Sequence, residues 1–356
     1  MSKLNLAIIF GGKSTEHEIS ILSAKSILKH LDRSAFNLSV IKIDTAGHWW
    51  LIDESNLDED AAGEPVTLVP GSPKTQLISL KNGSVIDTLD VAFPVLHGVF
   101  GEDGTIQGYF KMVDLAFVGC DVLAASSCMD KDVTKRLLRD AGINIAPYLM
   151  ATDNRIPSFE QVESELSMPV FIKPANLGSS VGVYKVKTKA EYDEKIKMAL
   201  TYDHKVLIEQ LIVGKEVECS VLGNEEPKAS LPGEIVTNTD FYDFESKYVD
   251  SNASKTQIPA SITEEQISEV RSVAVKAYQT MGCQGLARVD FFVTVDGEIL
   301  INEINTLPGF TNISMYPKMW EATGIGYSKL LSLLIEFAIN KHKSDASLNV
   351  KAREVK

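Results

Sequence analysis

Basic charge is scarce in this chain. Its 356 residues carry 35 lysines and arginines against 48 aspartates and glutamates, a net charge of -13, and the isoelectric point lies near 5.0. That balance leaves no basic footprint for a nucleic-acid partner, so any phosphate ligand must be met by a few placed lysines. Cysteine is also sparse: Cys120, Cys128, Cys219 and Cys283 stand without a CxxC pair, which argues against a zinc site or a disulfide framework and for buried free thiols. Long hydrophobic runs are missing too. The apolar start of MSKLNLAIIFGG is too short for a signal peptide, and no later run approaches bilayer length, so a cytoplasmic protein with no membrane partner is expected. Internal repeats and low-complexity tracts are lacking. So is a GxGxxG fingerprint, and GGKSTE puts a charged residue where close backbone approach is wanted, which disfavours a nucleotide-dependent dehydrogenase.

What is present is an apolar content of 44%, enough for a sizeable core and two or three domains. LNLAIIF (4 to 10) reads as a buried strand. It is followed by a helix with Ile21, Ala24, Leu28 and Leu31 at spacings of three and four, and by a strand at 38 to 43. This β-loop-α-β opening, with strands at 91 to 95 and 115 to 118, predicts an α/β fold whose first domain (1 to 119) has a parallel sheet. Residues 44 to 88, broken by Gly and Pro, are the least informative. A central domain (120 to 210) runs from a helix at 122 to 141 through strands around Lys173 to VLIEQ (206 to 210). A third (211 to 356) contains a helix announced by Thr263 and Gln266, a capping-box pair ahead of Ile267, Val270, Ala274, Ala277 and Met281. It ends in an amphipathic helix at 327 to 339 and a polar tail.

Two stretches carry chemistry. KPANLGSSVG (173 to 182) joins two β-like runs with its lysine ahead of the glycines, the reverse of the GxxxxGKS/T loop. Gly178 and Gly182 allow close backbone approach, and Ser179 and Ser180 supply donors for a polyphosphate; taken alone, the segment favours a plain hairpin loop. The second stretch is LARVDFFVTVDGEILINEIN (286 to 305). Asp296 and Gly297 suit a two-residue hairpin turn, which pairs Val295 with Glu298, Asp290 with Glu303 and Arg288 with Asn305, all four of these last on one face. Two facing carboxylates repel unless something neutralises them. Their oxygen-only donor set, Asp290, Glu303 and Asn305, suits Mg²⁺ (or Mn²⁺) shared with phosphate oxygens, and Arg288 is a natural partner for a developing oxyanion. The alternative is a solvated face on which Arg288 satisfies the acids.

Taken together, the motifs resemble those of the D-alanine–D-alanine ligases of the ATP-grasp superfamily. The matching stretches are GGKSTEHEIS (11 to 20), HGVFGEDGTIQG (97 to 108), SMDK (127 and 129 to 131), KPANLGSSVG, FYDFESKY (241 to 248), ARVDFF (287 to 292) and NEINTLPGFTNIS (302 to 314). They lie in family order over nearly the whole chain, with departures confined to 44 to 88 and the tail. The resemblance implies a three-domain ATP-grasp fold in which the N-terminal α/β domain is followed by two α+β domains that sandwich ATP. It also implies ligation of two D-alanines through a D-alanyl phosphate, for peptidoglycan precursors, by a homodimer.

Residue by residue, the same resemblance implies that Lys131 and Lys173 meet ATP phosphates, with Ser179 and Ser180 in the flap above them. Lys247 would join them when its loop closes, while Glu209, Gln210, Ile212 and Glu216 hold adenine and ribose. Glu16 would meet the ammonium of the first D-alanine, although its plain reading is a first-turn acid complementing a helix dipole. His97 and Glu102 would line the first-substrate side. Ser314, otherwise a helix cap, would bind the second carboxylate, and Arg288 with the Gly309 N–H would stabilise the oxyanion. The loop 237 to 255 would be a lid whose Tyr248 bonds Ser179, itself linked to Glu16, to exclude water from the acyl phosphate.

Alternatives are a ligase taking D-Ser or D-lactate as second substrate and, in a different class, an inactive binding or regulatory protein that keeps the fold. Tyr248 favours an amino acid over a hydroxy acid, since ester-forming relatives differ there. Tyr248→Phe is therefore expected to shift products toward the D-lactate ester at neutral pH, and an unchanged ratio in a competition assay of D-alanine with D-lactate would count against that role.

Overall fold

The computed structural model describes residues 3–59, 63–72, 74–237 and 254–348. The opening apolar run is β1 (Leu4–Gly11), followed by α1 (His17–His30) and β2 (Phe36–Ile43). The uninformative stretch forms β3 (Trp49–Leu51), β4 (Glu64–Val69), β5 (Thr75–Ser79) and β6 (Val85–Leu89), after which come β7 (Val91–Val95), α2 (Thr105–Met112) and β8 (Ala116–Phe117). These strands make one sheet in the order β6-β5-β4-β3-β2-β1-β7-β8. The expected parallel arrangement holds for β2, β1, β7 and β8. From β3 onward the sheet continues antiparallel, so it is mixed: short hairpin connections in 44 to 88 permit only antiparallel neighbours.

The helix expected at 122 to 141 is two helices, α3 (Val122–Met129) and α4 (Lys131–Asp140). Asp130 separates them because its backbone is extended and its carboxylate accepts hydrogen bonds from the Asp132 and Val133 amides, at 3.1 and 3.0 Å. An N-cap in mid-pattern thus overrides a continuous helical periodicity. Next come β9 (Tyr148–Thr152), α5 (Phe159–Leu166), β10 (Val170–Pro174), β11 (Tyr184–Val186), α6 (Lys189–Leu200) and β12 (Lys205–Gln210), with sheet order β11-β10-β12-β9. The glycine–serine segment is the β10–β11 connection, and β11 begins three residues later than the expected 181.

The third sheet contains β13 (Gly214–Gly223), β14 (Lys228–Ala229), β15 (Gly233–Thr237) and β16 (Ser254–Gln257), then β17 (Gly285–Thr294) and β18 (Ile299–Asn305) beyond α7 (Glu264–Thr280). Its order is β16-β15-β13-β17-β18, with β14 beside β13. Two helices close the chain, α8 (Met315–Ala322) and α9 (Tyr327–Ala346). Although α9 comes last in sequence, its Leu330, Leu331 and Leu334 pack into one cluster with Leu6, Ile8 and Phe10 of β1. No single helix among the described residues is long and apolar enough to cross a membrane.

The hairpin reaches its expected pairs by an unexpected route. Its loop has three residues, since Thr294 N–H donates to Glu298 O (2.9 Å) and Gly297 takes a left-handed φ of 91°, so Val293 pairs with Ile299 rather than Leu300. A bulge at Asn302 then shifts the register by one, which restores Asp290 opposite Glu303 and Arg288 opposite Asn305. The two departures cancel, and such bulges re-aim side chains beside functional sites.

The capping box at α7 is present as expected. Thr263 Oγ1 accepts from Gln266 N at 3.2 Å, and Gln266 Oε1 accepts from Thr263 N at 3.0 Å. Replacing Thr263 by Ala is expected to cost about 1 kcal/mol, read as a lower urea midpoint with an unchanged slope.

Candidate active site

Three sheet positions in one row set the electrostatics. Glu218 of β13 lies opposite Asp290 of β17, and Asp290 lies opposite Glu303 of β18. Side-by-side carboxylates are unfavourable, and cations from several elements converge on them. Arg288 donates from Nε and Nη2 to the two oxygens of Asp290, each at 2.7 Å, and its Nε lies 3.2 Å from Glu218. Burial opposes the Arg288 charge, but Asp290 and then Glu218 hold the guanidinium well above its usual range. Lys131 lies 3.3 Å from Glu303. The alternative weighed from sequence, Arg288 satisfying an acid, is the arrangement seen for Asp290. Glu218 was not singled out from sequence; its alternation with Val217 and Cys219 in EVECSV was the available signal.

A cavity of about 650 Å³ borders this row. Of the residues expected to meet a nucleotide, Lys131, Lys173, Ser179, Ser180, Glu209, Gln210, Ile212 and Glu216 all line it; Lys247 lies outside the described residues. Lys173 Nζ is 2.5 Å from Glu209 Oε2 and donates to Asn302 Oδ1 at 3.1 Å, so the bulged residue joins the site. Lys135 Nζ lies 2.7 Å from Glu209 Oε1. Burial alone would raise the Glu209 carboxyl, yet Lys135 and Lys173 together hold it below the usual range; burial pushes the Lys135 ammonium down. Lys135 was missed from sequence, although it sits four residues after Lys131 and therefore on the same helical face.

A smaller cavity of about 110 Å³ adjoins the first, sharing Lys131, Ser179 and Glu303 as walls. Glu16, His97, Glu102, Arg288, Asn305 and Gly309 complete its chemistry, whereas Asp290, held by Arg288, lines neither cavity. Ser179 and Ser180 both have left-handed backbones, φ 51° and 60°, a strain of about 1–3 kcal/mol each that tends to mark functional loops. Ser179 Oγ donates to Glu16 Oε1, joining the glycine–serine segment to the start of α1. Glu16 occupies the N-cap position without making a side-chain cap, so its carboxylate is turned toward the cavity instead. Gly98, at φ 75°, passes so close that a Cβ there would lie 2.7 Å from Glu16 Oε2.

Both ring nitrogens of His97 are engaged, Nδ1 with Leu307 O and Nε2 with Ser23 Oγ, each at 3.1 Å, and Glu102 lies 3.8 Å away. Burial disfavours its charge, but Glu102 and Glu16 outweigh this and raise it above the usual histidine range. Burial likewise pushes Glu102 upward. Ser314 stands at the N-cap of α8 without capping it; its Oγ accepts from Thr311 N at 2.9 Å and lies 2.9 Å from where a Gly309 Cβ would be. Tyr248 and the rest of residues 238–253 lie outside the described residues. A larger, mostly apolar cavity of about 940 Å³, lined by Trp49, Trp50, Phe100 and Tyr109, has no carboxylate on its walls and is not where the charged groups meet.

Among the described residues no three His, Cys, Asp or Glu side chains converge as a metal cluster. A cation at the carboxylate row would therefore rely on Asp290, Glu303 and the Asn305 amide, whose Oδ1 also accepts from Leu307 N at 3.0 Å. The oxygen-only donor set and the unfavourable row of acids both fit a hard divalent ion.

Family models described as the D-ala D-ala ligase N-terminus and C-terminus match residues 5–120 and 137–336. The chain is 50% identical over 360 residues to the D-alanine–D-alanine ligase A of Salmonella typhimurium, covering 98% of this chain and 99% of the relative. Among solved structures, the D-Ala:D-Ser ligase VanG from Enterococcus faecalis superposes with a TM-score of 0.86 at 36% identity, covering 95% of this chain and all of that one. The D-alanine–D-alanine ligase from Bacillus anthracis complexed with ATP gives 0.74 at 27% identity, covering 96% and 99%.

Lys135→Met leaves Glu209 with Lys173 alone. The expected loss is roughly 1–3 kcal/mol, less than the roughly 3–5 kcal/mol for a buried ion left with no partner. Adding Glu209→Gln should lower stability further, because it leaves buried Lys173 without its carboxylate, and denaturant melts of the two variants check the order.

Proposed function

Because the chain belongs to the D-ala D-ala ligase family, and is an ATP-dependent ligase making D-alanyl-D-alanine for cell-wall precursors, we propose that its two adjoining cavities perform the two steps of that ligation. The observation that carries this reading is their shared wall of Lys131, Ser179 and Glu303. Phosphates entering from the larger cavity and a carboxylate held in the smaller one would meet there.

Glu209, Gln210, Ile212 and Glu216 hold the adenosine end in this reading, and Lys131 and Lys173 receive the phosphates. For Lys173 this means exchanging Glu209 for a phosphate oxygen, while Lys135 keeps Glu209 neutralised. Glu16 binds the ammonium of the first D-alanine, with His97 and Glu102 beside it, so that its carboxylate faces the γ-phosphoryl group. Asp290, Glu303 and Asn305 are the residues that would hold Mg²⁺ or Mn²⁺. Such an ion neutralises charge on the transferring phosphoryl oxygens.

Transfer yields a D-alanyl phosphate. The amine of the second D-alanine, its carboxylate on Ser314, attacks the acyl carbon, and Arg288 with the Gly309 N–H receives the charge on the oxyanion. Phosphate leaves as the C–O bond breaks, and the attacking nitrogen gives up a proton. Arg288, which pairs with Asp290 here, would be available for that task if Asp290 were to hold a metal ion instead. A cytoplasmic homodimer fits this reading: ATP is available there, and the four cysteines are free and buried.

Incubation with ATP, Mg²⁺ and D-alanine is expected to yield D-alanyl-D-alanine, ADP and phosphate, with D-Ser and D-lactate as poorer second substrates. A preference for either of those would replace this assignment. Asp290→Asn is expected to lower turnover by more than the roughly 10–100-fold seen when only a metal ligand's supporting partner is lost, and full turnover in that variant would remove Asp290 from the metal set.

A further inference from the structure

Three serines recur at every third position of α1 and face inward: Ser20 and Ser23 are wholly buried and Ser26 is nearly so. A buried hydroxyl costs free energy unless it is hydrogen-bonded, and each of these has partners outside the helix. Ser20 accepts from Gly11 N at 2.7 Å and donates to Val95 O, tying α1 to the ends of β1 and β7. Ser26 lies 3.2 Å from Asn312 Oδ1 and 3.1 Å from Tyr327 Oη. Ser23 accepts from Phe310 N at 3.2 Å and lies 3.1 Å from His97 Nε2.

The Ser23 connections bracket one short loop. His97 Nδ1–H donates to Leu307 O, its Nε2 shares a hydrogen bond with Ser23 Oγ, and Ser23 Oγ accepts from Phe310 N–H. Both ends of Leu307–Phe310 are thereby held from the N-terminal part of the chain. Phe310 is fixed further: its carbonyl accepts from Tyr327 Oη at 2.5 Å, and its ring packs against Phe93, Tyr316 and Tyr327. Between the two ends sits Gly309, on the wall of the small cavity with Arg288.

We propose that Ser23 is a positioning residue: through His97 and the Phe310 amide it fixes the Leu307–Phe310 loop so that the Gly309 N–H points at the acyl oxygen on which the negative charge develops. This rests on the ligase reading above. A donor displaced by even an ångström loses much of its effect on a developing charge. The oxyanion forms only in the second step, so phosphoryl transfer is spared. The D-alanyl phosphate then persists for longer, and water cleaves it to D-alanine and phosphate, a balanced hydrolysis that forms no dipeptide.

The test measures phosphate and dipeptide in the same reaction for wild type, Ser23→Ala and Ser23→Cys, whose thiol is a weaker hydrogen-bonding group. Wild type is expected to give one phosphate per dipeptide. Ser23→Ala should form dipeptide more slowly by on the order of 10- to 100-fold, with an unchanged KM for ATP and a phosphate-to-dipeptide ratio above one, and Ser23→Cys should fall between. If Ser23→Ala does not fold, the Cys variant's ratio and KM decide by themselves. A ratio of one in the folded variants overturns the proposal, whether both products fall together or neither falls. A wild type that consumes ATP without forming dipeptide would instead overturn the ligase reading.

Discussion

Glu218, Asp290 and Glu303 stand on three adjacent strands in one row, and Glu209 is buried on the neighbouring sheet. Carboxylates so arranged are held together only if positive charge is delivered to them. Arg288 comes from the same strand as Asp290, Lys131 and Lys135 from α4, and Lys173 from β10. The central and C-terminal parts are thus joined through charge beside the cavity of about 650 Å³, by Lys131 of α4 and Glu303 of β18. The break in the helix at Asp130 belongs to this scheme, because it starts α4 at Lys131 and places Lys135 one turn further along.

The same arrangement explains how the site can be stable without substrates and still receive them. Every candidate phosphate-binding lysine in the described residues already has a carboxylate: Lys173 has Glu209, and Lys131 has Glu303. In the proposed reading, substrate phosphates and a divalent ion would offer replacement partners on both sides of each pair, so binding would exchange ion pairs rather than bury bare charges. Lys135 is the exception. It is buried behind Glu209 and does not line the cavity, which makes it the partner that stays.

A second set of connections consists of hydrogen bonds rather than ion pairs and ties the N-terminal part to the glycine–serine segment and the Leu307–Phe310 loop. Ser179 reaches Glu16, His97 reaches Leu307, and Ser23 reaches Phe310 across 287 residues of chain. With α9 packed against β1, these bonds make the small cavity a seam between sheets. The groups expected to hold substrate come from one side of it and those expected to stabilise charge from the other.

Much of this was legible in advance where a local pattern has only one physical outcome. Strand β1, the capping box of α7 and the shared face of Arg288, Asp290, Glu303 and Asn305 follow from periodicity, cap chemistry and alternation. The hairpin shows the limit of such reasoning, since the expected pairs formed although the loop is one residue longer and a bulge at Asn302 compensates; a bulge is stabilised by its neighbours, here Lys173, and leaves little trace in the strand itself. Residues 44 to 88 were opaque because short antiparallel strands depend on the sheet edge they join. By itself the sequence determined which chemical groups exist, which of them share a strand or helix face, and which family they belong to. Only the tertiary structure decided which cation meets which carboxylate, that Lys135 pairs with Glu209 and Glu218 with Arg288, and that His97 spends both nitrogens on Ser23 and Leu307. Charge pairing and buried hydrogen bonds act over a few ångströms between segments far apart in the chain, and no local pattern encodes that distance.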